Sequence, residues 1–81
     1  MIAKSISSTT AQNNFGRVLD DITHYNTRYI IARRGIPQAI ILNFDDFIHL
    51  LNDDAERQQM GNLLHELRPE YELGQVVNPK E

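Results

Sequence analysis

The chain has no cysteine and no tryptophan, and only three tyrosines and three phenylalanines in 81 residues. Without cysteine, neither a disulfide framework nor a thiolate metal site can hold a small fold together. Packing must do that work, and a chain this short buries a small fraction of its surface, so a partner subunit is a common way to complete the core. No apolar run approaches the roughly 18 residues of a membrane span, and MIAKSISSTT at the N-terminus lacks the long apolar core of a secretion signal. We therefore expect a soluble, cytoplasmic protein with no membrane association.

Catalytic patterns are also missing. His24, His49 and His65 lie far apart with no paired metal-ligand spacing, and Ser5, Ser7 and Ser8 have no Gly-x-Ser-x-Gly context. The pairs Asp20-Asp21, Asp45-Asp46 and Asp53-Asp54 would point about 100° apart on a helix rather than converge. Gly35 alone makes no phosphate loop. The expectation is a protein that is not an enzyme, with no catalytic residue, no metal and no cofactor.

The net charge of −3 hides an asymmetry. Residues 1–43 carry Lys4, Arg17, Arg28, Arg33 and Arg34 against Asp20 and Asp21, a net of +3. Residues 44–81 carry Arg57, Arg68 and Lys80 against four aspartates and five glutamates, a net of −6. A chain divided this way can offer one face to an anion and the other to a basic partner.

Residues 2–6 suit a short edge strand. Thr9-Thr10-Ala11-Gln12 matches a capping box, and Ala11, Phe15, Val18, Leu19 and Ile22 then form one apolar stripe at helical period, closed by Asn26 as a left-handed cap. Gly16 inside this helix suggests close packing. Residues 28–34 and 37–42 read as two strands joined through Gly35, with Pro37 at a strand start or on an edge. Both strands are apolar on both faces. One face can take the helix and the other is most simply covered by a second copy, with Tyr29, Ile31, Ile40 and Leu42 at the dimer interface. Asn43 caps a further helix carrying Phe44, Phe47, Ile48 and Leu51, and Asp53 with Glu56 restarts the chain as another, with Met60, Leu63, Leu64 and Leu67 at i, i+3, i+4 and i+7. The result is an α+β fold of order β-α-β-β-α over residues 1–52, followed by an acidic, helical and partly disordered segment over 53–81.

The first helix begins among Ser7, Ser8, Thr9, Thr10, Gln12 and Asn13, with no acidic residue before Asp20 and with Arg17 one turn on. Hydroxyl and amide groups at a helix N-terminus suit phosphate contact, and Gln or Asn can read adenine edges. Capping alone explains part of this cluster. Arg33 and Arg34 ask for a further reason, because a hairpin needs no adjacent cations between its two most apolar arms.

The pattern SIS-x-x-x-A-x-x-x-F-x-x-x-L-D over residues 5–20, then I-x-R-R-G-x-P-x-A-x-I-L over 31–42 and N-F-D-D-F over 43–47, resembles the Phd/YefM family of bacterial antitoxins. The resemblance spans roughly residues 2–52. It implies a β-α-β-β-α homodimer that binds its own operator DNA, represses its operon, and blocks a cognate toxin with a C-terminal segment that is often disordered alone. Arg33 stands where the family has a DNA-contacting arginine. Gln12 stands where members carry another, early in the first helix, and Thr10 replaces a usual acidic residue. The expected DNA-binding set is Lys4, Ser7, Ser8, Thr9, Gln12, Asn13, Arg17, Arg33 and Arg34. The expected toxin-binding set is Leu50, Leu51, Met60, Leu63, Leu64, Leu67 and Tyr71, used as a helix in a groove, with Glu66, Glu70 and Glu72 steering a basic toxin such as an RNase or a translation-targeting enzyme. A higher assembly with toxin is expected. The competing expectation is an interaction module that binds a basic partner without DNA, and an RNA-binding regulator is disfavoured because the basic half offers no aromatic stacking platform.

Overall fold

A computed structural model describes residues 2–68. The chain runs β1 (Ile2–Ser7), α1 (Ser8–Asn13), α2 (Phe15–Tyr25), β2 (Thr27–Arg33), β3 (Ile36–Ile41), α3 (Phe44–Asn52) and α4 (Asp54–Leu67). This is a small α+β fold on a mixed sheet of order β1-β2-β3, with β1 parallel and β3 antiparallel to the central β2. Parallel neighbours require a crossover, and α1 with α2 supplies it. No helix among the described residues is long and apolar enough to cross a membrane.

The helix expected after β1 is broken in two. Its cap is Ser7, whose Oγ accepts from the Thr10 amide at 3.0 Å, so Thr9 and Gln12 do not form the capping box. Ser7 comes straight off the strand in extended backbone, and that places the cap two residues earlier than the sequence pattern suggested. Asn14 interrupts the helix, its Nδ2 donating to the Thr10 carbonyl at 3.0 Å, where a short polar side chain competes with the backbone ladder. The remaining caps follow the sequence. Asn26 closes α2 at φ 54°, Asn43 accepts from the Asp45 and Asp46 amides, and Asp53 accepts from Glu56.

Alternation along β2 assigns the two faces of the sheet. Tyr29 and Ile31 face α2, where Val18, Ile22 and Tyr29 form a buried cluster flanked by Ile6, Ile31 and Ile41. Tyr29 also ties the strand to α2 through its hydroxyl, which donates to Asp21 Oδ2 at 2.6 Å. Arg28 and Ile30 face the other way, and here the fold departs from the expected cover by a second copy. α4 folds back over this face, with Glu56 bound to Arg28 at one end, Met60 only 2 % exposed in the middle, and Leu64 and Leu67 beside Ile30 and Ile40 at the other. Tyr29 and Ile31 are thus core residues of the single chain. Ile40 borders the α4 side, and Leu42 is half-buried.

Arg28 is the polar anchor of this second layer. Its Nε and Nη2 donate to the two carboxylate oxygens of Asp46 at 2.7 and 2.6 Å, and Nη2 also donates to Glu56 Oε1 at 3.1 Å. The Arg28 hydrogen bonds and charge hold the Asp46 carboxyl below its ordinary value of 3.8, against the opposing effect of burial. A carboxylate depressed in the folded state stabilises at pH values above its unfolded pKa and loses that contribution as pH falls through the folded value. Chemical denaturation should therefore show a stability nearly constant from about pH 7 to 5 and declining below about 4. Asp46→Asn should be destabilised at pH 7 by about 1.5–3 kcal/mol, since Glu56 still pairs with Arg28, and should lose much of that acid dependence.

Gly16 needs no close packing: a Cβ built there meets nothing within 4 Å. Gly16→Ala should raise stability by about 0.5–1 kcal/mol through reduced freedom of the unfolded chain, read as a rise of a few degrees in Tm.

Candidate nucleic-acid interface

The parallel pairing of β1 and β2 brings distant parts of the sequence to one end of the sheet. Ser7, the last residue of β1, pairs with Ala32, and β2 ends one residue later at Arg33. The start of α1 therefore emerges beside the β2–β3 hairpin. α2 runs antiparallel to β2, since it leads through Asn26 into Thr27 at the opposite end, so its first turn, with Arg17, also lies toward the hairpin. Ser8, Thr9, Gln12, Asn13, Arg17, Arg33 and Arg34 are thus gathered by topology although they span a long stretch of sequence. Lys4 stands apart, opposite Tyr29 in mid-strand and three residues, about 10 Å, from Ser7.

Within α1, Ala11 turns into the core and Thr9, Gln12 and Asn13 are exposed. Among the described residues, the side chains of Gln12, Asn13, Arg17, Arg33 and Arg34 make no hydrogen bond or ion pair. Ser7 does: beyond accepting from Thr10, its hydroxyl donates to Thr10 Oγ1 at 2.9 Å. Because Ser7 performs the capping, the Gln12 amide is not used in capping α1. α1 is only six residues long, so its dipole is slight and its exposed side chains, rather than its terminus, are the groups it can offer a ligand.

The hairpin explains why two arginines attract attention. Arg33 pairs with Ile36, leaving Arg34 and Gly35 as a two-residue turn, and both have positive φ, 55° and 78°. Positive φ at both positions is the signature of a type I′ turn, whose twist matches that of the flanking strands. Asn-Gly is the favoured pair there, because an unbranched or β-branched L-residue carrying no local hydrogen-bonding group pays for left-handed backbone with about 1 kcal/mol or more. Arg34 thus occupies a position its backbone disfavours, and its side chain is projected from the tip of the hairpin. A bulge follows, in which Gln38 is left over between Pro37, opposite Ala32, and Ala39, opposite Ile31.

The other end of the sheet is acidic. Ile2, Tyr25, Asn26, Arg28, Asp46, His49 and Glu56 line a cleft of about 270 Å³ there. His49 Nε2 lies 3.8 Å from Asp53 Oδ2. Among the described residues, no three His, Asp or Glu side chains assemble as a metal site.

The residues expected to bind a toxin divide. Leu50 is buried, Leu51 is exposed on α3, Met60 is buried on the sheet-facing side of α4, Leu63, Leu64 and Leu67 are half-buried, and Glu66 is exposed. Glu70, Tyr71 and Glu72 lie outside the described residues. Phe15 and Leu19 of the α2 stripe are exposed, and a contiguous apolar stripe is left open on α3, where Phe44, Phe47, Ile48 and Leu51, spaced at i, i+3, i+4 and i+7, are all exposed, Phe44 by 79 %. That stripe was visible in the sequence as a helix face, but its exposure was not, because Leu50 rather than the stripe turns inward. Arg28 was equally visible as a cation and gave no sign of being buried. Comparison with protein-family models, with curated proteins and with solved structures returns no match.

If Arg34 is held at the tip for its side chain rather than its backbone preference, replacing it with the turn's favoured residue should stabilise the fold. Arg34→Asn is expected to raise stability by about 0.5–1 kcal/mol in thermal or urea denaturation. A loss of stability would mean that the arginine makes a favourable contact in the fold.

Proposed function

We propose that the chain is a homodimeric antitoxin of the Phd/YefM type, which represses its own operon by binding operator DNA and neutralises a cognate toxin through its C-terminal segment. The observation that carries this reading is the gathering of Arg17, Arg33, Arg34 and the polar face of α1 at one end of the sheet, without carboxylate partners among the described residues. The residue motifs that resemble the family fall on β1 through α3, an α+β arrangement on a three-stranded mixed sheet in which the first helical stretch is split into α1 and α2. Arginines supply the phosphate attraction that gives affinity, and Gln12 and Asn13 are the groups able to distinguish base edges.

A dimer is supported by the exposed α3 stripe, which a second copy would remove from water, and it would present the basic end twice. The toxin-facing role rests on α4 and the acidic residues beyond it. Met60, Leu64 and Leu67 lie against the chain's own sheet, so engagement of these residues by a groove on a toxin requires α4 to lift away. Leu63, half-buried and not among the residues lining the cleft that Leu64 and Leu67 form with the sheet, is the better first anchor to test.

Binding to a labelled duplex from the region upstream of the gene should weaken linearly in a plot of log affinity against log salt. Arg33→Ala and Arg34→Ala should each lower the slope by about 1, one phosphate contact apiece. No binding at low salt, or binding indifferent to salt, would overturn the repressor reading and favour the second one. That alternative is an interaction module for a basic protein, for which the net charge of −3 and the open α3 stripe speak. For the toxin arm, the protein encoded beside this one should be growth-inhibitory and should co-purify with this chain. Leu63→Glu should weaken that complex at least tenfold, about 1.4 kcal/mol.

A further inference from the structure

Among the groups gathered at the hairpin end, one face carries no charge. At about 100° per residue, Thr9, Gln12 and Asn13 fall within an arc of about 100° on α1, and buried Ala11 lies on the side away from it. Both flanks of that arc are committed within the chain. Thr10 Oγ1 accepts from the Ser7 hydroxyl at 2.9 Å and the Thr10 carbonyl accepts from Asn14, while Ser8 is half-buried. The side chains of Thr9, Gln12 and Asn13 are exposed and make no hydrogen bond among the described residues. The face ends with α1 itself, because Asn14 leaves helical backbone at φ −131° and ψ 34°.

Cations share this end of the sheet. By alternation along β2, Arg33 takes the side of Tyr29 and Ile31, the one that α2 covers. Arg17 stands in the first turn of α2 and Arg34 at the hairpin tip. A cation on a phosphate gives affinity and carries no sequence information. A neutral amide does the reverse: the NH2 of Gln or Asn donates to adenine N7 while its carbonyl accepts from adenine N6, a pair that no other base offers in the major groove. The Thr9 methyl suits the C5-methyl of thymine. From Thr9 to Asn13 the helix rises about 6 Å, close to two base-pair steps of about 3.4 Å. The deep, narrow major groove of an RNA duplex hides those edges from side chains, so such a face suits B-form DNA.

We propose that Thr9, Gln12 and Asn13 are a neutral reading face that selects A·T pairs at about three adjacent positions of the DNA major groove. This rests on the nucleic-acid reading above and names the sequence class that the surface takes. Affinity and selectivity then reside in different side chains: the arginines set the salt dependence and the amides set the base preference.

The test uses the full chain and the labelled upstream duplex, with adenines replaced one at a time by 7-deazaadenine, which lacks the N7 acceptor. One or two of these replacements should each weaken binding by the native chain about tenfold. The same replacements should make little further difference to Gln12→Ala or Asn13→Ala. Each alanine variant should itself bind about tenfold more weakly, with circular dichroism and the slope of log affinity against log salt unchanged, in contrast to Arg33→Ala. Gln12→Arg should move the preference at its position from adenine to guanine. If Arg33→Ala lowers the slope while neither the modified adenines nor the amide variants alter affinity, the reading face is wrong and the nucleic-acid reading stands. If the amide variants lower the slope, those side chains hold phosphates and the proposal also fails. Equal competition by an RNA duplex of the same sequence would remove the major-groove assignment. The modified duplexes probe the native chain, so the outcome does not depend on any variant folding. Absence of any binding by the native chain overturns the underlying reading itself.

Discussion

A single buried guanidinium fixes how the second half of the chain lies on the first. Arg28 projects from the central strand to the face opposite α2, where it is 2 % exposed and bound by carboxylates from the first turns of α3 and α4. The planar fork matches Asp46 in bidentate fashion, and only arginine among the cations offers that geometry. Taking these charges out of water is expensive, so the cluster contributes less net stability than its short distances suggest. Its main consequence is orientation. Asn43 and Asp53 start α3 and α4, and both helices then direct their N-terminal carboxylates at the same point on β2. With α4 pinned there, the remaining length of the helix can only run along the exposed face of the sheet, and that course brings Met60 over the strand and Arg68 to the hairpin.

The elements were largely legible in the sequence because local chemistry sets them. Apolar alternation marks β2 and β3, helical spacing marks α2, α3 and α4, and the Asn26, Asn43 and Asp53 caps satisfy backbone groups within a few residues of themselves. What was not legible depends on contacts distant in sequence. Arg28 looked like one more cation of the basic half, since nothing local reveals that Asp46 and Glu56 converge on it. The cover of the second sheet face was assigned to another copy because periodicity gives each helix an apolar stripe without saying which surface receives it. The break at Asn14 was hidden by a stripe that continues in phase across it.

The candidate site divides in the same way. Arg33 and Arg34 were singled out from their improbable position between apolar arms, and the positive φ of Arg34 sharpens that oddity into a physical one. Residues held in disfavoured backbone cluster where function retains them. By contrast, the apparent cap at Thr9 and Gln12 was misplaced because Ser7 already satisfies the Thr10 amide. That correction frees Gln12, and it leaves the exposed side of α1 with only hydroxyls and amides directed outward.

Overall charge is consequently a poor guide to what this surface attracts. The first half is basic by +3, yet one of its cations, Arg28, is compensated internally by acids from the second half. The basic end instead comprises Arg17, Arg33 and Arg34, while Asp46 and Glu56 are held at the far end of β2. That strand is seven residues long, so the two poles are about 20 Å apart. At physiological ionic strength the Debye length is about 8 Å, and exposed charges separated by more than twice that distance scarcely feel one another. An anion approaching the hairpin therefore meets the local arginines rather than the net charge of −3, and the acidic surface can receive a basic partner without cancelling the other pole. The two poles are electrostatically insulated by distance, and among the described residues α4 spans that face from one toward the other.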